Sequence, residues 1–328
     1  MRAVVFAGKG GPEVIEVREL PDPRPSRGEV LVRVRAAALN RADLLQRRGL
    51  YPPPPGVRED VPGLELAGEV AAAGEGVTGF RSGDRVMAIA GGEAQAELAL
   101  VHERMLVGVP ARLSLEDAGA TMEAFVTSHD ALFTIGGLRP GWPVLIHAIG
   151  SGVATAALQL ARAAGATVVG TSRTADKLER AKALGLDHGI LVGRDEPRFA
   201  DEVLRLTASE GVPLILDFVG GAYAAENVGA LAQRGRVVVV GTMGGRTAEV
   251  DLSLLMRKRG EVIGTVLRPR AFEEKIHATR LFAKEVLPLL AAGAVRPIVD
   301  AVFPLDRVRE AHERLEKNDS FGKLVLGL

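Results

Sequence analysis

The feature that most constrains the fold is an apolar stretch that breaks at a glycine turn and continues in small residues. Residues 144–146 read as a buried strand, and residues 150–153 read as a turn into a helix. Glycine permits a sharp turn and a close backbone approach to phosphates, while the helix N-terminus adds partial positive charge. The pattern indicates a dinucleotide pyrophosphate site; an ordinary turn without a ligand is the alternative, because Ala154 replaces a third glycine. The candidate ligands are Gly150, Ser151, Gly152 and Val153.

The following segment alternates between helices and apolar strands. Residues 156–164 continue as a helix and residues 166–170 return as a second strand, which makes a βαβ unit. Four further strands are predicted after it, at residues 189–192, 213–217, 236–240 and 261–266. Their apolar runs need not alternate with polar residues, because a parallel strand is covered on both faces. The sequence therefore predicts an α/β fold with a doubly wound (Rossmann) parallel sheet of six strands.

The end of the second strand bears on the choice of dinucleotide. An NAD site has an acidic residue about 20 residues after the glycines, which accepts hydrogen bonds from the ribose. This chain instead offers Ser172, Arg173 and Lys177 in that stretch, which suit the additional phosphate of NADPH. The sequence predicts NADPH as the cofactor. The alternative is that Asp176 and Lys177 belong to a solvated helix face.

Composition excludes several classes of function. The 328 residues suggest two domains, and 47% hydrophobic content can form a sizeable core. Lys plus Arg equals Asp plus Glu at 41 each, so we expect neither nucleic acid nor a membrane as a partner. With a strand predicted at residues 2–6 and no long apolar run, we expect a cytoplasmic protein. The absence of cysteine excludes disulfides and Cys-based zinc sites, and the six histidines lack metal-binding spacing, so no metal is expected.

The N-terminal third has a different sequence pattern, with short strands and few helices predicted. Short strands are predicted at residues 2–6, 13–17, 29–35, 68–72 and 84–89, and glycine and proline separate them. Short strands separated by these turn-forming residues are typical of a small β-barrel. The C-terminal segment, a helix followed by a strand at residues 323–326, has no partner of its own, so we expect it to rejoin the first domain.

Several motifs carry a family resemblance. Residues 63–68, 81–86, 144–159 and 321–325 occur in the order found in medium-chain dehydrogenases/reductases, and residues 40–43, 49–55 and 254–259 are similar to the zinc-free quinone oxidoreductase, or zeta-crystallin-type, branch. The resemblance spans essentially the whole chain. It implies a GroES-like β-barrel catalytic domain of residues 1–122 and 267–328, and an NADPH-binding Rossmann domain of residues 123–266. It also implies a homodimer or homotetramer.

The resemblance implies zinc-independent hydride transfer from NADPH to a quinone. Leu64 stands where zinc alcohol dehydrogenases of the same superfamily have a histidine. Without a metal, catalysis must rely on holding an electron-poor acceptor flat against the nicotinamide. Two alternatives stay open: an NADPH-dependent reductase of enone or 2-alkenal double bonds, and a non-catalytic NADPH-binding protein that is crystallin-like or binds RNA.

Four residues are candidates for catalysis: Asn40 and Tyr51 from the resemblance, Asp43 from its position three residues after Asn40, and His129 although relatives more often have aromatic or apolar residues in that stretch. Asn40 would face the nicotinamide ribose or the substrate, and Asp43 would orient water or Tyr51. Tyr51 would contact the quinone, or else simply pack its loop. His129 could relay a proton, since imidazole titrates near neutral pH; the alternative is a partly exposed structural histidine.

The remaining candidates concern the cofactor. Thr127 resembles a threonine near the nicotinamide, and residues 241–245 resemble a loop that closes over its amide, with Gly241 and Met243 in contact. For Lys323 the alternative is a surface strand residue. The cofactor-binding candidates, besides residues 150–153, are Asn40, Thr127, Ser172, Arg173, Lys177, Gly241, Met243, Leu267 and Lys323.

Overall fold

The computed structural model describes residues 1–193 and 196–328. The strands are, in chain order, β1 (Arg2–Phe6), β2 (Ile15–Glu19), β3 (Glu29–Ala38), β4 (Glu65–Ala73), β5 (Arg85–Ile89), β6 (Leu98–His102), β7 (Leu106–Gly108), β8 (Pro143–Ile146), β9 (Thr167–Ser172), β10 (His188–Leu191), β11 (Val212–Asp217), β12 (Leu231–Val239), β13 (Glu261–Gly264), β14 (Val299–Pro304) and β15 (Lys323–Gly327). The α-helices are α1 (Arg41–Arg47), α2 (Leu115–Gly119), α3 (Met122–His129), α4 (Gly152–Ala163), α5 (Ala175–Lys182), α6 (Ala200–Leu206), α7 (Ala224–Ala230), α8 (Leu252–Lys258), α9 (Phe272–Leu281), α10 (Leu287–Ala292) and α11 (Val308–Lys317). No helix in these two ranges is long and apolar enough to cross a bilayer.

Residues Thr127–Val266 form one compact unit, which we call unit 2. Its sheet has six strands in the order β10-β9-β8-β11-β12-β13, and every neighbouring pair is parallel. Strands β9 and β10 lie on one side of β8, and the later strands β11, β12 and β13 lie on its other side. This arrangement confirms the predicted doubly wound sheet of six strands.

The central strands are buried because their sequences are apolar without alternation. Residues 144–146 of β8 and 214–216 of β11 are fully buried, as expected for parallel strands covered on both faces. β12 starts at Leu231, five residues before the predicted start. Its pairing with β11 is irregular between Val212 and Leu214, and Arg234 has φ of 59°. Residues 233–235 are polar or glycine, which is typical of a turn. The sequence pattern therefore did not show that β12 begins before residue 236.

Residues Met1–Val126 and Leu267–Leu328 form the other compact unit, unit 1. Its main sheet has the order β14-β15-β3-β4-β5-β7, and β6 also pairs with β3. The C-terminal strand β15 pairs antiparallel with β3, which confirms that the C-terminal segment rejoins the first part of the chain. The chain leaves unit 1 after residue 126, whereas the sequence predicted a boundary after residue 122.

A buried arginine joins α1 to α11 within unit 1. Arg47 is fully buried; it donates to the Gly10 carbonyl at 3.1 Å, contacts His312 Nδ1 at 3.1 Å, and pairs with Glu316 at 2.5 Å. His312 is fully buried, and its Nε2 has no hydrogen-bond partner within the described ranges. Burial, assisted by the Arg47 charge, lowers the pKa of His312 from 6.5 to about 3. The folded protein therefore holds His312 neutral.

This histidine predicts a loss of stability in mild acid. Between pH 6.5 and 3 the unfolded chain binds a proton at His312 that the folded chain does not, so the free energy of unfolding falls as pH drops below 6.5. We expect a loss of about 2 kcal/mol between about pH 7.5 and about pH 5, measured by urea unfolding. His312→Gln should remove most of this pH dependence, and the exposed His188→Gln should retain it. An equal pH dependence in all three proteins would contradict the assignment.

Candidate functional site

The first cluster of candidate residues lies at the start of α1 in unit 1. Asn40 has extended backbone and precedes the helix, and its N–H donates to the Asp43 carboxylate at 2.7 Å. An acidic residue at the third helical position that accepts this N–H is one half of a capping box. The bond fixes the backbone of Asn40 and leaves its side-chain amide available for other partners.

Asp43 is fully buried and also reaches two other segments. Its carboxylate accepts from Gly63 N at 3.2 Å and from Gln95 Nε2 at 3.3 Å. Burial raises the pKa of Asp43 to about 6, while the N–H of Asn40 and the cations Arg268 and Lys323 pull it down. Along the described chain none of its hydrogen bonds goes to Tyr51. Asp43 thus holds the start of α1 in place.

The Asn40 amide is held by a buried ion pair. Lys323 Nζ donates to Asn40 Oδ1 and lies 2.7 Å from Glu65 Oε1, while Asn40 Nδ2 donates to the same Glu65 oxygen at 3.1 Å. Lys323 is 5% exposed and Glu65 is fully buried. The alternative of a surface role for Lys323 is therefore wrong. Ammonium and carboxylate together fix the amide orientation, with Oδ1 toward the cation and Nδ2 toward the anion.

Glu65 also accepts a hydrogen bond from the first turn of α3. Its Oε2 accepts from Glu123 N at 2.9 Å, so strand β4, strand β15, helix α1 and the start of α3 meet at one carboxylate. The Glu123 side chain interacts electrostatically with this group. Burial raises its pKa to about 8, and the charge of Glu65 adds to the effect. Glu123 is therefore mainly protonated at neutral pH.

Tyr51 is partly buried and is fixed by Arg268. The guanidinium lies 5.5 Å from the Tyr51 ring centroid, and it donates to the carbonyls of Gly91 at 2.7 Å and Tyr51 at 3.3 Å, and to Gln46 Oε1 at 2.8 Å. Burial raises the pKa of the phenol; the Glu123 charge acts in the same direction and Arg268 opposes it. Tyr51 is therefore a neutral, oriented ring with Glu123 in its surroundings.

Sequence reasoning assigned no role to five polar residues of this cluster: Gln46, Glu65, Gln95, Glu123 and Arg268. A signal existed for the two glutamates. Each stands alone within an apolar run, at residues 64–67 and 122–126. A charged residue in such a run is buried with a partner or serves a function, because isolated burial of a charge is costly.

In unit 2 the glycine turn leads into α4 as predicted. Ser151 caps the helix, and its Oγ accepts from Ala154 N at 3.2 Å. The first N–H groups of a helix have no acceptor within the helix. Free N–H groups at a helix N-terminus bind phosphate oxygens, so the turn fits a dinucleotide.

Two further candidates of unit 2 lie on α3. Thr127 Oγ1 is buried and lacks a hydrogen-bond partner in the part of the chain that the structure describes. A buried hydroxyl left without a partner is costly unless a ligand or water supplies one, which again fits a bound cofactor. His129 is only 4% exposed and packs on Phe133, with ring centroids 5.0 Å apart. The alternative of a partly exposed histidine is therefore wrong on exposure.

The residues that the sequence predicts to bind the additional phosphate of NADPH lie at the end of β9 and after it. Ser172 is buried, and its Oγ accepts from Thr174 N at 3.1 Å. Arg173 is exposed, and Lys177 on α5 is partly buried. Because β8 and β9 are adjacent and parallel, their carboxyl ends bring these residues to the same sheet edge as the glycine turn.

The loop at residues 241–245 is tied to the loop that follows β11. Gly244 N donates to the Val219 carbonyl at 2.6 Å, and Gly221 N donates to the Gly245 carbonyl at 3.0 Å. Met243 on this loop is 48% exposed. Leu267, by contrast, is buried and belongs to unit 1.

Nowhere in the described ranges do three His, Asp or Glu side chains group so as to hold a metal ion.

Family comparisons cover both units. Residues 26–136 match the alcohol dehydrogenase GroES-like domain, and residues 152–284 match the zinc-binding dehydrogenase family. These matches confirm the predicted pairing of a GroES-like domain with a Rossmann-type domain.

Curated relatives match over the full length. The chain is 33% identical to a quinone oxidoreductase of Pseudomonas aeruginosa, over 99% of both proteins. It is 32% identical to the synaptic vesicle membrane protein VAT-1 homolog of Rattus norvegicus, over 99% of this chain and 84% of the relative.

Solved structures agree with this similarity. An NAD-dependent alcohol dehydrogenase has a TM-score of 0.89 and 34% identity, with full coverage of both chains. A mycobacterial protein, Rv1454c, solved with NADPH, has a TM-score of 0.89 and 29% identity, again with full coverage. Both the sequence motifs and these comparisons give one assignment: the chain is an oxidoreductase that belongs to the quinone oxidoreductase branch of the medium-chain dehydrogenase/reductase superfamily.

Proposed function

We propose that this oxidoreductase transfers a hydride from NADPH to a quinone without a metal ion. The observation that carries the proposal is one edge of the unit 2 sheet, where Ser172 ends β9, the exposed Arg173 follows it, and α4 begins at Gly152. A guanidinium at that place favours the additional phosphate of NADPH. The relative solved with NADPH supports the choice.

The quinone assignment rests on unit 1 and on the relatives. Tyr51 offers a flat ring fixed by Arg268, and Asn40 offers an amide fixed by Lys323 and Glu65. We propose that Asn40 and Tyr51 contact the acceptor or the nicotinamide ribose, and that Asp43 and Lys323 act by positioning Asn40. Quinone oxidoreductases among the relatives give the substrate class.

The remaining residues serve the cofactor in this proposal. Bound NADPH supplies the hydride. Thr127 binds the nicotinamide end through its unpaired hydroxyl, Gly241 and Met243 close over the amide, and Leu267 packs against it. Lys177 adds a second positive charge for the phosphate that Arg173 binds. The burial of His129 against Phe133 favours a structural role.

An enone or 2-alkenal is the second candidate acceptor. Reduction of its double bond produces an enolate, which needs a proton, and the raised pKa of Glu123 favours such a substrate. The hydride chemistry is otherwise the same. The two acceptors therefore have to be compared in one experiment.

We expect the protein to oxidise NADPH when a para-quinone or ortho-quinone is supplied, more slowly with a 2-alkenal, and slowly with NADH as the donor. Absorbance of the reduced nicotinamide measures all of these rates. Tyr51→Ala should raise KM for the quinone about tenfold because it removes the ring contact, and Tyr51→Phe should stay near the wild type. Faster turnover of the alkenal would move the assignment to double-bond reduction. Binding of NADPH without turnover of any acceptor would refute an enzymatic role.

A further inference from the structure

A buried histidine lies between the ends of three strands of unit 2. His147 follows β8 directly and is fully buried. Its Nδ1 lies 2.9 Å from Thr171 Oγ1 on β9, and its Nε2 lies 2.7 Å from Asn227 Oδ1 on α7. Asn227 Nδ2 donates in turn to Asp217 Oδ2, at the end of β11, at 2.8 Å. These four residues, which we call the His147 network, therefore connect β8, β9 and β11 through their side chains.

The ring of His147 is neutral. It packs against the rings of Phe199 and Tyr223, with centroid distances of 4.7 Å and 4.8 Å. Its two hydrogen-bond partners are a hydroxyl and an amide, so a charge on the buried ring would lack a bonded counter-charge and would be costly. Burial lowers the pKa of His147, although the charge of Asp217 opposes this effect.

The partners also fix the direction of each hydrogen bond. The carboxylate of Asp217 can only accept, so Asn227 presents its NH2 group to it and its Oδ1 to His147. The histidine must then donate from Nε2. Because the ring is neutral, its Nδ1 accepts from the hydroxyl of Thr171. The structure thus requires the tautomer that carries its proton on Nε2.

The backbone of the same network holds the segments proposed to bind the cofactor. Ile149 N, in the glycine turn, donates to the Thr171 carbonyl at 3.0 Å. Gly241 N donates to the Asp217 carbonyl at 3.3 Å. Thr171 also directly precedes Ser172, where the segment proposed for the additional phosphate begins. The glycine turn, the phosphate segment and the loop at Gly241 therefore all start from residues of this network or are bonded to them.

The turn after His147 needs this support. Ala148 has φ of 49°, in the left-handed region that glycine adopts readily and alanine does not. A residue persists in such a conformation only where its surroundings fix it, and such residues cluster at functional sites. The side-chain bonds of His147 fix the chain before Ala148, and the bond from Ile149 N to the Thr171 carbonyl fixes it after.

We propose that His147 is a positioning residue for the cofactor: its two hydrogen bonds hold the glycine turn in the conformation that binds the dinucleotide pyrophosphate. The inference rests on the proposed function, because it assigns the histidine to the NADPH site. Without these bonds Ala148 leaves the left-handed region in most molecules, and the apparent Kd for NADPH rises as the fraction of molecules with the competent turn falls. Both ring nitrogens are occupied within unit 2, so His147 takes no part in hydride transfer.

His147→Phe keeps an aromatic ring beside Phe199 and Tyr223 and removes both hydrogen bonds. We expect Kd for NADPH, measured by calorimetry, to rise about tenfold, while kcat at saturating NADPH changes less than about threefold and KM for the quinone stays unchanged. Thr171→Val removes one donor and should give a smaller rise in Kd. Val203→Ala, at a fully buried residue of α6, is the matched control: it should lower the temperature of thermal unfolding without changing Kd.

A second substitution separates support of the turn from a general loss of stability. Since glycine tolerates the left-handed region, Ala148→Gly combined with His147→Phe should bring Kd for NADPH back to within about threefold of the wild type. Ala148→Gly alone should bind NADPH as the wild type does. If the double variant is folded in thermal unfolding and its Kd does not recover, the inference is overturned.

The ring of His147 gives a readout that needs no cofactor. Nitrogen NMR at pH 7, with the signals identified by their loss in His147→Phe, should show a neutral imidazole protonated on Nε2. A proton on Nδ1, or an unchanged Kd in His147→Phe, would overturn the inference while leaving the reductase function intact. A wild type that does not bind NADPH would instead refute the proposed function, and the positioning role with it.

Discussion

Replacing Arg173 with alanine is expected to lower kcat/KM for NADPH by about 10- to 100-fold while leaving kcat/KM for NADH nearly unchanged. In the proposed function the exposed guanidinium of Arg173, just after β9, binds the phosphate that distinguishes the two cofactors. A charge-assisted hydrogen bond of this kind contributes about 1.5–3 kcal/mol. Because the contact is solvent-exposed, the effect should shrink at high salt. Steady-state rates with each cofactor, at low and high ionic strength, measure it.

Two variants sharpen this result. Arg205→Ala removes another exposed arginine, on α6 of the same unit, and should alter the use of neither cofactor. Ser172→Asp combined with Arg173→Ala should reverse the preference toward NADH, because a carboxylate at the strand end accepts from the ribose hydroxyls. An equal loss with both cofactors in Arg173→Ala, or a wild type that prefers NADH, would contradict the proposed NADPH specificity.

Replacing Lys323 with methionine is expected to lower the free energy of unfolding by about 3–5 kcal/mol. The variant leaves Glu65 fully buried without its ammonium partner, and the cost of an unpaired buried charge exceeds the value of the ion pair itself. The Asn40 amide loses the donor to its oxygen as well, so activity should fall with stability. Urea unfolding at neutral pH measures the change.

The double variant Lys323→Met/Glu65→Gln tests the reason for that loss. It removes both charges, and the glutamine oxygen can still accept from either Asn40 Nδ2 or Glu123 N, which bond to different oxygens of Glu65, so we expect it to regain part of the lost stability. Lys284→Met, at a side chain 77% exposed, should change the free energy of unfolding by less than about 0.5 kcal/mol. If the double variant is less stable than Lys323→Met, the buried charge is not the cause.

The sheet of unit 2 could be predicted because its signals are local. Unbroken apolar runs such as residues 214–216 mark strands covered on both faces, and the glycine turn marks the strand from which the sheet is built in both directions. Periodicity and spacing are sufficient where the interacting residues are neighbours in the sequence.

The polar centre of unit 1 could not be derived in this way. Asn40 and Lys323 are 283 positions apart, and a lysine in a strand reads as solvent-facing because lysine is rarely buried. The raised pKa of Glu123 comes from burial first and then from the charge of Glu65, while Lys323 and Arg268 oppose it, and these residues belong to separate segments. Only folding shows which cation is already committed and which carboxyl keeps its proton.

The pairing of β15 with β3 sets an order of events during synthesis. Unit 2 is one continuous segment, so it can fold as soon as residue 266 has left the ribosome. The sheet of unit 1 waits for its last strand, and so does the contact of Lys323 with Asn40. A nascent chain can therefore complete unit 2 before the Asn40 amide is oriented, and a chain that stops before residue 323 lacks the ammonium that orients it.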